Sequence, residues 1–459
     1  MISGLPGVVV VDDKQDELDK IQDAFFSAGI PCLPIRYRNA EPENQSGIDH
    51  VNVSEWISPR IVVTDLNLTE ANNPSATILV GPLAMMLKKL SVRGPYLLCV
   101  WSKLEGLVAD VIRLLEERYG DDMTLPLHVS VISKSEFSSN PESLKEKISN
   151  LISENLLFDV LLSWESRVSE AGRSAVAALY TMAQRKTVGS SMDERACVLR
   201  KVLATIGNEA IGRKNAQEDP ALAMETGLIP MLEDQIRSMS SCELNEKWRT
   251  AIPEIGTSQT IDSAIKSKLN TFFHVEEVAG DYPKNCRGVF VGLNTDYLDE
   301  NLQKFEARIG RPMKQLLHDE FLPNTADSSK RELRESARRE TILGFLEISP
   351  ACDYAQKKTK LPKYILGALI PEKFEELTNR SSNLGGGDRA HEGIHRLPKI
   401  EVGGETYVLK FSFKYQFGAQ PNDNQWFGDS LFRVRDQILS AITYSCSQYA
   451  SRPGVISFL

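Results

Sequence analysis

Positive charge is in deficit along this chain: 53 Lys and Arg stand against 62 Asp and Glu, a net charge of -9. That balance repels phosphate backbones and argues against nucleic acid as a partner. The densest basic stretch, KRELRESARRE at 330–340, interleaves its cations with glutamates and reads as a solvated helix face. Cysteine is also scarce: the seven residues are scattered, odd in number and without a C-x-x-C pair, which excludes a disulfide framework and suggests reduced thiols in a cytosol. No apolar run approaches bilayer length, and the first residues lack the basic start and long apolar core of a signal peptide, so a cytoplasmic protein with no membrane partner is expected. There is no Walker-type or G-x-G-x-x-G loop to mark a nucleotide user, and no compact basic helix-turn-helix pattern at the C-terminus.

What is present is a 459-residue chain, 42% hydrophobic and 25% charged, too long for one ordinary core. Its patterning suggests a first domain over 1–155, a mostly helical region over 156–270 and an α+β domain over 271–459. The first third alternates short apolar runs with helical spacing, the pattern of a five-stranded parallel sheet wound with helices on both faces. VVVV at 8–11 is the first expected strand, followed by a helix on Leu18, Ile21, Phe25 and Ala28 that Gly29 closes. PCLPIRY, RIVVTDLNL, PYLLCVWS and LHVSVISK supply the other four strands, and the polar stretch 38–55 is loop material. Leu144, Ile148, Leu151 and Ile152 begin a stripe that continues into ENLLFDVLLSWESRV as a long helix. Further on, GVFVGL, ETILGFLEIS, YILGALI and YVLKFSFKYQF read as strands, and FRVRDQILSAITYSCSQYASRPG as a terminal amphipathic helix.

The strand ends carry the chemistry. Asp12 and Asp13 end the first strand, Asp65 the third, Ser102 the fourth and Lys134 the fifth. In an open parallel sheet the carboxyl ends of neighbouring strands line one crevice, where such folds bind ligands. Three carboxylates suit a hard divalent cation such as Mg2+, which bridges readily to phosphoryl oxygens. Phosphoryl transfer needs an in-line nucleophile and positive charge around the equatorial oxygens. Asp65 is a candidate nucleophile, Lys134 a partner for the phosphoryl group and Ser102 a hydrogen-bond donor to it.

This order of parts resembles the receiver domain of two-component response regulators, over about residues 6–155. The resemblance implies a flavodoxin-like doubly wound parallel sheet, Mg2+ at Asp12 and Asp13, phosphate accepted on Asp65 from a sensor histidine kinase, and a metal contact from the backbone carbonyl of Asn67. It also implies the family's Ser/Thr role for Ser102 and its lysine role for Lys134. Three positions depart from the family: Lys103 stands where a small residue is usual, Ser135 where a proline follows the lysine, and Val131 where many members carry an aromatic switch. Phosphate acceptance should survive these changes, whereas the usual route from phosphorylation to output should not. An atypical receiver on a long region without DNA-binding output also resembles the receivers of bacterial anti-phage conflict systems, in particular the phosphate-buffering partner of Detocs-type defence, which implies a phosphate sink.

Other motifs compete. HEGIH at 391–395 matches the zincin pattern, but Gly385, Gly386, Gly387, Gly393 and Pro398 oppose the helix that would present His391 and His395 together. Cys352 beside Asp353 would need a base from that loop to act as a nucleophile, and a small buried cysteine near a turn is the expectation. Trp164, Trp248 and Trp426 are expected as packing anchors. The alternatives to a phosphoacceptor are therefore a receiver-gated effector enzyme with chemistry in 272–459, or a degenerate receiver that binds a partner without phosphate. A homodimer is a further expectation.

Overall fold

The computed structural model describes residues 7–27, 30–39, 47–51, 59–90, 92–134, 146, 150–151, 153–185, 191–239, 242–323, 331–379, 393–420 and 425–451. The chain divides into two compact units, one made of 1–178 with 231–257 and the other of 179–230 with 258–459.

The first unit holds strands β1 (Val8–Asp12), β2 (Cys32–Arg36), β3 (Ile61–Thr64), β4 (Leu97–Ser102) and β5 (His128–Ser133), all parallel, in the order β2-β1-β3-β4-β5. Continuous apolar runs form these strands because parallel sheets are covered on both faces. Val9, Val11, Val62, Leu98 and Val100 pack on one side against α2 (Ala76–Lys89) and α3 (Val108–Tyr119), whose Leu83, Leu87, Val111 and Leu115 are buried with them. Val8, Val10, Ile61, Val63, Leu97 and Trp101 pack on the other against Leu18, Ile21 and Phe25 of α1 (Gln15–Ser27) and against Phe158. The register is level across the sheet: Val11 pairs with Thr64, Thr64 with Val100, and Val100 with Val131. The strands consequently end together, and the residues after them meet.

Helices follow at Leu156–Arg185, Met192–Ile211, Pro220–Ser238, Cys242–Ala251 and Ser263–His274. The second of these starts at a reciprocal capping box between Ser191 and Glu194. Then comes an antiparallel sheet built from β6 (Val275–Glu277), β7 (Val289–Leu293), β8 (Ile342–Glu347), β9 (Lys363–Pro371), β10 (Ile394–Arg396), β11 (Ile400–Val402), β12 (Glu405–Gly418) and β13 (Phe427–Val434). Its order is β10-β12-β9-β8-β7-β13-β6, with β11 paired to β12. Gly344 and Gly367 face each other across β8 and β9. Both must be glycine, because a Cβ at Gly344 would come within 2.6 Å of the Phe290 ring and one at Gly367 within 2.8 Å. Phe290 in turn stacks on Phe432, ring centres 5.0 Å apart.

Several expectations change here. Phe432, Arg433 and Val434 belong to β13, whose buried Phe427, Ser430, Phe432 and Val434 face the core, and the terminal helix starts only at Asp436, with Arg435 as its N-cap. The short strands β6, β10 and β11 were not foreseen, since three residues carry no period. Cys352 is exposed, in the short helix Ala351–Ala355, instead of buried, and Trp164 is half exposed instead of a packing anchor. Trp426 does pack, edge to face on Phe305 at 5.3 Å. Among the described residues no helix is long and apolar enough to cross a membrane.

Candidate metal centre at the strand ends

Asp12 is the last residue of β1, and Asp65 follows β3 at the same level, so the shared register sets their carboxylates side by side. With Asp13 they form the one group of three metal-ligating side chains found among the described residues, their nearest oxygens all within 4.8 Å of one another. All three are buried. Lys134, one residue past β5, reaches in between them, its Nζ donating to Asp12 Oδ2 at 2.9 Å and to Asp65 Oδ2 at 3.0 Å. The cation that two adjacent buried carboxylates require is therefore supplied in part by the chain itself.

Backbone amides hold the remaining oxygens. Lys14 N donates to Asp12 Oδ1 at 2.9 Å, and Leu66 N donates to Asp65 Oδ1 at 2.6 Å, with Asn67 N at 3.4 Å. Asp13 Oδ1 is different: it is buried and accepts no hydrogen bond. Burial, reinforced by the charges of Asp12 and Asp65, pushes the Asp13 carboxyl up to about 7. Burial also raises Asp12 while Lys134 works against it. The Lys134 ammonium is opposed by burial but held above its ordinary value by Asp65 and Asp12. An unbonded, destabilised carboxylate oxygen beside two others is what an all-oxygen site for a hard cation offers, compatible with Mg2+ without being specific to it.

Ser102 ends β4 and is buried, its Oγ accepting from Leu104 N at 3.2 Å. The side chain of Asn67 is committed to its own loop, accepting from Ala71 N at 3.0 Å and donating to Ala71 O at 3.3 Å, while its backbone carbonyl accepts from Glu70 N at 3.1 Å and keeps a second lone pair for a ligand. Val131 is half-buried on β5 and Lys103 is exposed, while Ser135 and His391 lie outside the described residues. Sequence reasoning passed over Arg36, which pairs with Asp12 in the β1–β2 register and donates from Nε to Asp13 O at 3.3 Å. Its signal was its place as the last residue of β2. His395 lies in strand β10, so it cannot form the helical histidine pair of a zincin.

No protein-family model matches the chain, and no curated protein matches it either.

Proposed function

We propose that residues 1–155 are a receiver in which Asp65 accepts a phosphoryl group from the phosphohistidine of a partner sensor histidine kinase. The observation that carries this reading is the meeting of Asp12, Asp13 and Asp65 with Lys134 at the carboxyl ends of a parallel sheet ordered β2-β1-β3-β4-β5. Asp13, Asp65 and the carbonyl of Asn67 would hold Mg2+, with Asp12 acting through water. Mg2+ held there would supply positive charge against the phosphoryl oxygens. The Asp65 carboxylate attacks phosphorus, a P–O bond forms as the P–N bond to histidine breaks, and the imidazole keeps the electron pair. Lys134 pairs with a phosphoryl oxygen and the Ser102 hydroxyl donates to another.

Val131 supports a sink over a relay, because it provides no aromatic ring to swing towards Ser102 when phosphate arrives. The protein then buffers phosphate in bacterial anti-phage two-component signalling, with the C-terminal region as an interaction module in the cytoplasm. The effector-enzyme alternative has less behind it: the Cys352 thiol meets Asp353 Oδ1 at 3.7 Å, and among the described residues no histidine bonds to it. Replacing Cys352 with Ala is expected to leave phosphate acceptance unchanged.

The test is the intact mass after acetyl phosphate with Mg2+, beside an Asp65→Asn control. One added phosphoryl group that needs both Asp65 and metal supports the reading. A protein that gains nothing, or an Asp65→Asn variant that gains the same mass, overturns it.

A further inference from the structure

The helix Ser263–His274 lies on its sheet with the polar side inward. Ser267 is buried, Asn270 Nδ2 donates to Lys399 O at 3.0 Å, and Glu401 N in β11 donates to Thr271 Oγ1 at 2.7 Å. Helical spacing then turns Ile265, Leu269, Phe272 and Phe273 outward, 52%, 43%, 66% and 62% exposed, with Ile261 just ahead of the N-cap Asp262. A surface helix ordinarily does the reverse. The outward rings are also fixed in place. Phe272 and Phe273 meet edge to face at 5.2 Å, and Arg435 sets its guanidinium 5.9 Å over Phe272 while its Nε donates to Phe272 O at 2.8 Å.

We propose that this stripe is a self-association surface, covered by the same helix of a second copy running antiparallel. Its area is of the right size. Aromatic side chains bury about 150–250 Å² each, so the stripe with Ile261 exposes on the order of 500 Å². A standard interface takes roughly 800 Å² from each partner, about 65% of it apolar in homodimers, which is the same apolar area.

Its pattern is self-complementary, as a two-fold interface requires. Ile265, Leu269 and Phe273 are spaced four residues apart with Leu269 near the middle of the helix. An antiparallel copy therefore sets Ile265 against Phe273 of the other copy, and Leu269 against Leu269. Charge permits this pairing. Lys266 lies three residues from the centre, so the two copies' ammoniums are about 9 Å apart along the axis and a further 8–10 Å across, beyond the screening length of physiological salt. Lys268 is one residue from the centre, so its two copies come closer and association tightens as salt is added.

Sedimentation velocity on the full chain over a wide concentration range tests the proposal. The expected result is a monomer–dimer equilibrium, with Leu269→Glu weakening the dimer about tenfold or more by placing two carboxylates at the centre. Ile265→Ser, too mild to disturb the fold, should weaken it several-fold with an unchanged circular dichroism spectrum, and it decides the matter if Leu269→Glu does not fold. A protein monomeric at every concentration, or a dimer that Ile265→Ser leaves as strong as before, overturns the proposal.

Discussion

In the parallel sheet, four charged side chains from three strand ends meet one another, whereas in the antiparallel sheet buried charges bind backbone carbonyls and the side chains packed on them. Lys410, in the middle of β12, donates from Nζ to Thr378 O at 2.6 Å and to Phe321 O at 3.2 Å. Glu320 accepts from Ser412 Oγ and Lys414 Nζ, both at 3.0 Å, with Arg311 3.8 Å away. Both groups are satisfied by the fold itself. The strand-end cluster is not, because Asp13 Oδ1 is left without a partner. Glu347 also has a buried oxygen without one, but among the described residues it belongs to no group of three metal-ligating side chains, and its other oxygen accepts from Ser349 N at 3.0 Å. An unsatisfied group among like charges points to a ligand, while buried charges bonded within the fold call for none.

The contrast can be broken at several points. The largest effect is expected from Lys134→Met in metal-free buffer, which leaves Asp12 and Asp65 buried without their cation and costs about 3–5 kcal/mol in a denaturation experiment. Added Mg2+ should restore part of the loss, and no loss at all would mean the cluster is not under electrostatic strain. In the antiparallel sheet, burial first and the charge of Arg396 second push the Lys410 ammonium down to about 7, against Glu320. Its unfolded value is near 10.4, so between about 7 and 10.4 the unfolded chain binds more protons and stability rises with pH, the penalty being full below 7. The rise should be about 4–5 kcal/mol in full, and denaturation midpoints against pH should show a flatter profile for Lys410→Met. Equal profiles would remove Lys410 from the account.

Smaller changes sharpen the comparison. Gly344→Ala forces a methyl group into the Phe290 ring and should cost about 1–3 kcal/mol in thermal unfolding while leaving the phosphoryl adduct unchanged. The smallest effect belongs to Asn67→Ala, which removes two side-chain bonds to Ala71 for about 1 kcal/mol. Calorimetric titration should find Mg2+ affinity within a few-fold of wild type, since the proposed ligand at Asn67 is the backbone carbonyl.

The first unit was legible because its strands are continuous apolar runs whose polar ends coincide, so VVVV followed by Asp12 and Asp13 marks both the core and the site. A level register, which the sequence does not state, is what turns residues 53 and 69 positions apart into neighbours. The antiparallel sheet was less legible. Its long strands β9 and β12 stood out, but β13 ran without a break into the following helix and shared its apolar density, and β6, β10 and β11 are held by their partners more than by their own composition. Arg36 was missed for a related reason, since its role comes from pairing beside Asp12.

The chain enters and leaves its two units three times, since 179–230 departs from the first, 231–257 returns to it and 258–459 departs again. Residues of the returning piece are tied to the first leg, Lys247 to Asp159 at 3.1 Å and Arg167 to Ile236 O at 2.9 Å. The first unit as a whole is thus not a cassette that a single cut can lift out or a single gene fusion can transplant. A fragment ending at 178 would shed part of its own body, and recombination that shuffled such a gene would have to carry both units together.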